Sequence, residues 1–249
     1  NVNINDIKIK QFPLKQDFSG LTDNIDDVNE FVKNCNLAQT KINLDNEIKF
    51  LKTHHAFWKN GNYTFTDLEN TLGVIHIIRD PRNVITSVLK HFNRDSYVHA
   101  LEFMKDPLQC IGIKGGKNGH DLMTIISSWG NHYSSWKKFK KNNLLIKYEN
   151  LINNPEKEFV KLCNFIEDIS DLKFEKKLIL RAIESCNFNT LKKQEASNGF
   201  SEGTTNKANI KNEFFNLGPE NDWEKLLNKE IKDKIEILFE KEMKEAGYL

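Results

Sequence analysis

The sequence predicts an α/β fold, a mostly parallel central sheet flanked by helices. Three observations carry that expectation. Short apolar runs alternate with segments of helical period, the pattern of strands joined by crossover helices. Polar residues follow three of those runs directly (Lys52-Thr53-His54, Arg79 and Tyr148-Glu149), where such sheets place their ligands, beyond the carboxyl ends of the strands. The chain has 249 residues, 39% hydrophobic and 29% charged, enough for one large domain with a sizeable core.

Each element follows from its local pattern. Residues 1–25 are polar without a clear period, and "NIDDVNEFVKNC" (24–35) reads as a short helix. "EIKFLKTHHAF" (47–57) holds a strand at 48–51 and then a polar turn, and "GNYTFTDLENT" (61–71) reads as loop and short helix. In "GVIHIIRDPRNVITSVLKHF" (73–92) the period changes midway. A strand at 73–78 gives way to a helix whose stripe is Ile85, Val88, Leu89 and Phe92. Asp80 suits its N-cap and Pro81 its first position.

Residues 93–120 read as loop-rich, ending in "GIKGGKNGH", and a helix follows with Trp129, Tyr133 and Trp136 on one face and His132 beside them. "NLLIKYENL" (143–151) is a third strand. "NPEKEFVKLCNFIE" is a helix with Phe159, Leu162, Cys163 and Ile166 inward, and "DLKFEKKLILRAIESC" is another. Residues 197–212 read as a mobile Gly/Ser/Thr/Asn-rich loop, and 222–246 as one long helix with Ile231, Ile235, Leu238 and Phe239 on one stripe.

Lys+Arg 36 against Asp+Glu 35 leaves a net charge of +1, which gives no support to a nucleic-acid or membrane-surface role. Anion recognition must then be local. No stretch approaches the roughly 18 apolar residues of a membrane span. Cys35, Cys110, Cys163 and Cys186 lack CxxC spacing, which speaks against a metal or disulfide framework and for a reducing, cytoplasmic setting. The Asn/Lys/Ile-rich composition fits the same setting.

Arg79 stands where a strand meets a helix N-terminus, whose N–H groups and partial charge favour an anion. Its planar fork matches phosphate oxygens, and Ser87, eight residues on and off the apolar stripe, adds a donor. The pattern equally allows an ion pair of Arg79 with Asp80 or Glu149. His54 suits a general base near neutral pH with Lys52 stabilising negative charge, or one or both of His54 and His55 are solvated loop residues. Tyr148 is a ligand contact or a strand-end aromatic that closes the core, and Phe188 reads as core.

The segments "KTHHAF", "IIRDPRNVITSVLKHF", "LLIKYENLINNPEKEFVKLCNFI", "SCNFNTLKK" and "FFNLGPENDWEK" together resemble the sulfotransferases that use 3′-phosphoadenosine 5′-phosphosulfate (PAPS). They stand in the family's order from residue 52 to about 225. The most specific part is the strand-end arginine with a serine eight residues later. The resemblance implies a P-loop NTPase-like fold, with residues 1–249 as a single sulfotransferase-like domain. It implies sulfuryl transfer to a hydroxyl or amine of a small-molecule or glycan acceptor, PAPS as cosubstrate and no metal requirement. His54 matches the general base and Lys52 the lysine near the sulfuryl group. Arg79 and Ser87 match the 3′-phosphate ligands, Tyr148 a nucleotide contact, Phe188 an aromatic near the adenine, and Gly218 the glycine of a late loop over the 3′-phosphate.

Two departures stand out. The family's opening strand and 5′-phosphosulfate loop have no counterpart here, so the chain is expected to lack an N-terminal piece. The late loop reads Asn216-Leu217-Gly218 without the family's Arg-Lys pair, and Lys207 or Lys211 is the expected substitute. Residues 93–128 and 197–212 are expected to shape the acceptor pocket, with Phe92, Tyr97 and Phe103 suiting an apolar or ring-bearing alcohol. Two other readings remain open, a different P-loop-type transferase or kinase and a catalytically inactive nucleotide-binding relative.

Overall fold

The computed structural model describes residues 10–112, 122–200, 203–205 and 212–249. β1 (Lys10–Gln11) pairs in parallel with β2 (Leu51–Lys52). Between them α1 (Val28–Ile42) is capped by Asp27, whose carboxylate accepts the N–H groups of Asn29 and Glu30. β3 (Lys59–Asn60) and β4 (Tyr63–Thr64) form an antiparallel hairpin. β5 (Val74–Ile78) leads into α2 (Pro81–His91), and α3 (Tyr97–Lys105) follows. β6 (Cys110–Ile111) pairs antiparallel with β7 (Thr124–Ile125), ahead of α4 (Trp129–Trp136). β8 (Asn143–Lys147) pairs with β5. The rest is helical: α5 (Tyr148–Asn153), α6 (Pro155–Ile169), α7 (Lys176–Ser185), α8 (Phe188–Asn198), α9 (Trp223–Leu226), α10 (Lys229–Leu238) and α11 (Glu240–Ala246).

Helices dominate, and the described strands pair two by two. Packing divides the chain into two compact units, 9–74 with 105–143 and 75–104 with 144–249. The first is built on aromatic residues, with Phe12, Phe18, Phe31, Phe65, Trp136 and Phe139 around Cys35 and Ala38. The second buries Ile85, Ile146, Ile231, Ile235, Phe239 and Met243. Among the described residues no helix is long and apolar enough to cross a membrane.

Several elements differ from the sequence expectation, each for a local reason. The strand expected at 48–51 is only Leu51–Lys52, and Ile48 and Phe50 are exposed. The loop and short helix expected at 61–71 instead include half of the β3–β4 hairpin, turned at Gly61 with φ +59. The loop expected after 93 contains α3, which starts where the Ala100 N–H bonds the Ser96 carbonyl and buries Ala100, Leu101, Phe103 and Met104. The helix expected over 222–246 is three helices. Leu227 is extended (φ −99, ψ 138), and Asn228 restarts the helix by accepting the Ile231 N–H. Leu238 of the expected inward stripe is exposed. Lys207, Lys211 and most of "GIKGGKNGH" lie outside the described residues.

Candidate functional site

Arg79 follows β5 and precedes α2. Its guanidinium carbon lies 4.4 Å from the centroid of the Tyr148 ring, a cation–π contact. Its Nη2 also donates to the Gly218 carbonyl at 3.4 Å. Tyr148, expected at a strand end, is the first residue of α5, immediately after β8. Burial pushes the Arg79 pKa down, against the opposing pull of Tyr148, Glu149, Asp80 and Tyr248. Desolvation of this kind makes a cation more responsive to an incoming anion.

The two carboxylates that the sequence offered as Arg79 partners both favour its charge and are also bound to other groups. Asp80 is 5% exposed and takes the fork of Arg82, with Nη2 at 2.6 Å from Oδ2 and Nε at 3.0 Å from Oδ1. Glu149 accepts the Asp80 N–H at 2.9 Å on one oxygen and the Tyr248 hydroxyl at 3.0 Å on the other. Arg82 also reaches Glu236 (2.7 Å) and lies 4.0 Å over the Trp223 ring. Burial works against the Arg82 charge, but Asp80 and Glu236 outweigh it and raise its pKa.

The sequence offered the first N–H groups of α2 to an anion, yet Asp80 occupies them. Its side chain takes the Arg82 N–H, its carbonyl takes those of Asn83 and Val84, and Pro81 has none. The Arg82, Asn83 and Val84 N–H groups of this helix terminus are therefore already bonded within the loop.

The late loop is fastened to α2 by amide side chains. Asn221, buried, donates to the Asn83 carbonyl (3.0 Å) and accepts from the Thr86 hydroxyl (3.0 Å). The Asn83 side chain accepts the Trp223 N–H at 3.0 Å. This docking sets the Gly218 carbonyl at Arg79. Gly218 has φ +51, and a Cβ there would come within 2.2 Å of the Phe188 ring. Phe188 opens α8, half-buried, and packs edge-on against Phe215 at 6.1 Å. Arg79, Tyr148, Gly218 and Phe188 thus form one contiguous group. Ser87 sits on the exposed face of α2, about two turns in.

In the other unit, Lys52 closes β2, half-buried, with its carbonyl accepting the Phe12 N–H at 2.9 Å. The two adjacent histidines have opposite environments. His54 is exposed, whereas His55 is 1% exposed and stacks between Phe31 and Phe65 at 5.5 and 4.7 Å. His55 Nδ1 accepts the Ile125 N–H (3.2 Å) and the Trp58 indole N–H (3.3 Å), and its carbonyl accepts the Trp136 indole N–H (2.9 Å). Burial, with His132 and His54 nearby, holds the His55 pKa at about 3. Burial also lowers His132 to about 4, partly countered by its hydrogen bonds to the His54 and His55 backbone. His55 is therefore a core residue that fixes the backbone carrying His54.

Sequence reasoning missed Arg82, Asn83, Asn221 and Tyr248, which hold the group together. Arg82 was legible as the second arginine of "RDPR", but its burial was not.

A family model described as a sulfotransferase domain matches residues 9–247. Cytosolic sulfotransferase 16 of Arabidopsis thaliana is 25% identical over 183 residues, 71% of this chain and 52% of that protein. Sulfotransferase 1B1 of Canis lupus familiaris is 27% identical over 119 residues, 47% of this chain and 38% of that protein. The chain spans about half the length of these curated relatives or less. A solved retinol dehydratase, in complex with androsterone and the inactive cofactor PAP, aligns with a TM-score of 0.52 at 17% identity. That alignment covers 80% of this chain and 54% of the other. The likeness is one of fold, and it agrees with the α/β, P-loop NTPase-like class.

Proposed function

The chain belongs to the sulfotransferase domain family, and on that premise we propose that it moves the sulfuryl group of PAPS to a hydroxyl or amine of an acceptor. The observation that carries this reading is the group formed by Arg79, Tyr148, Gly218 and Phe188. A partly desolvated cation, an aromatic face on either side of the loop and a side-chain-free glycine suit a phosphate attached to an adenosine. In this proposal Arg79 binds the 3′-phosphate, Ser87 adds a hydroxyl donor, and Tyr148 and Phe188 contact the nucleoside.

His54 is proposed as the base and Lys52 as the cation that stabilises charge at the sulfuryl group. The burial of His55 supports His54, because a base must meet the acceptor. The acceptor oxygen bonds to sulfur in line as the bond from sulfur to the bridging phosphate oxygen breaks. The acceptor proton passes to the His54 imidazole, and the electron pair leaves on the phosphate. Such transfers need alignment and charge stabilisation more than covalent help. The acceptor class we propose is a small hydroxyl-bearing molecule or glycan, in a cytoplasmic setting and within a single domain of which this chain carries at least a large part.

A kinase-like reading would recruit Asp80 to magnesium, but both oxygens of that carboxylate are bound by Arg82. The inactive-relative reading draws on Asn216-Leu217, which lacks the paired charges that the family's late loop carries. The deciding experiment offers PAPS and a panel of phenols, alcohols and sugars to the protein and to its His54→Ala variant. The expected outcome is transfer by the wild type and a loss of about 10²- to 10⁴-fold in the variant, with nucleotide affinity retained. Near-normal turnover in the variant would remove His54 from the reaction. Nucleotide binding without transfer to any acceptor would leave the inactive-relative reading standing.

A further inference from the structure

The chain leaves α11 through a turn that contacts both sides of the Arg79–Tyr148 pair. Gly247 takes φ +68, its N–H bonds the Lys244 carbonyl at 3.1 Å, and the Tyr248 N–H bonds the Met243 carbonyl at 2.8 Å. This is a Schellman turn, and the glycine permits it twice over. A Cβ at Gly247 would also stand 3.2 Å from the Lys147 ammonium.

That close approach lets Lys147 donate to the Gly247 carbonyl at 3.2 Å and lie 4.6 Å from the centroid of the Tyr248 ring. Lys147 precedes Tyr148 in the chain. The Tyr248 hydroxyl donates to Glu149, which follows Tyr148, at 3.0 Å. The other oxygen of Glu149 holds the N–H of Asp80, the residue after Arg79. The Tyr248 carbonyl accepts from Arg82 Nη2 at 2.9 Å. One tyrosine thus ties down the neighbours of both members of the pair.

We infer that Tyr248 is a positioning residue for the 3′-phosphate subsite, acting through Glu149 and Asp80 to hold Arg79 stacked on Tyr148. The inference rests on the nucleotide reading above. An arginine side chain has many rotamers, so a phosphate bound by Arg79 gains affinity to the extent that the loop is fixed beforehand. Without its hydroxyl donor, Glu149 is free to turn from the Asp80 N–H, and the peptide bearing Arg79 loosens.

The test compares adenosine 3′,5′-bisphosphate (PAP) with adenosine 5′-monophosphate, which lacks the 3′-phosphate, by calorimetric titration of the wild type and Tyr248→Phe. The variant keeps the ring over Lys147 and deletes one hydrogen bond to a charged group, so PAP affinity should fall about tenfold. Affinity for the monophosphate should stay within about twofold, since no 3′-phosphate is present to sense Arg79. An equal loss for both nucleotides would show a merely structural role and overturn the inference, as would no loss for either. Lys147→Met, which frees the turn from its other side, should show the same selective loss and serves if Tyr248→Phe unfolds. A wild type that does not prefer PAP would instead sink the nucleotide reading, and this inference with it.

Discussion

Replacing Arg79 with Ala removes the cation stacked on Tyr148 and bonded to Gly218. Charge-assisted bonds to phosphate predict a loss of about 10- to 100-fold in PAP affinity, measured by titration. Arg79→Lys should recover only part, because an ammonium offers neither the planar fork nor the same stacking. At His55 and His132 the prediction concerns acid stability. Their folded-state pKa values, about 3 and about 4, lie below the ordinary histidine value of 6.5. Between those limits the unfolded chain binds more protons, so stability falls as pH drops below about 6.5, by roughly 1.4 kcal/mol per pH unit for each histidine. Urea unfolding between pH 7 and pH 4.5 should show that fall, and His55→Gln should make it shallower; an unchanged slope would contradict the assignment. The residue pattern raised His54 and His55 as a pair, and the family resemblance picked out His54. The aromatic slot around His55, built by Phe31 and Phe65 from distant segments, supplies the physical difference between them.

The start of α2 and the 218–223 loop are the elements that fix this site. Asp80 was legible as the N-cap because an acid before Pro81 is a common helix start. Its second task, pairing with the buried Arg82, depends on Glu236 and Trp223, more than 140 positions away, and no local pattern shows it. Asp80→Ala should therefore cost more than a cap alone, about 3 kcal/mol in denaturant unfolding, since it strips a buried arginine of a partner. In the loop, Gly218→Ala meets both a left-handed φ and the Phe188 ring at 2.2 Å. The expected outcome is a thermal midpoint several degrees lower and weaker PAP binding, with Phe188→Ala on the same chain restoring part of the stability. An unchanged midpoint for Gly218→Ala would mean that the loop does not hold this close approach.

For the whole chain, strong periods were legible and weak ones were not. α2 and α6 stand where their apolar stripes put them. By contrast α3 was hidden in a segment rich in turn residues, and the continuous polar pattern of 222–246 concealed two breaks. Of the proposed nucleotide group, the members were legible one by one, as a strand-end arginine and a late glycine, but their meeting was not. It depends on Asn83, Asn221 and Tyr248, polar residues with no periodic signature. In the proposed function this group recognises the 3′-phosphate of PAPS. The most direct measurement is the affinity of the protein for PAP, adenosine 5′-monophosphate and ATP with magnesium, repeated on Arg79→Ala. PAP should bind at least about tenfold tighter than either other nucleotide, and Arg79→Ala should erase the advantage over the monophosphate. Equal affinities in the wild type, or an advantage that survives the loss of Arg79, would contradict that recognition.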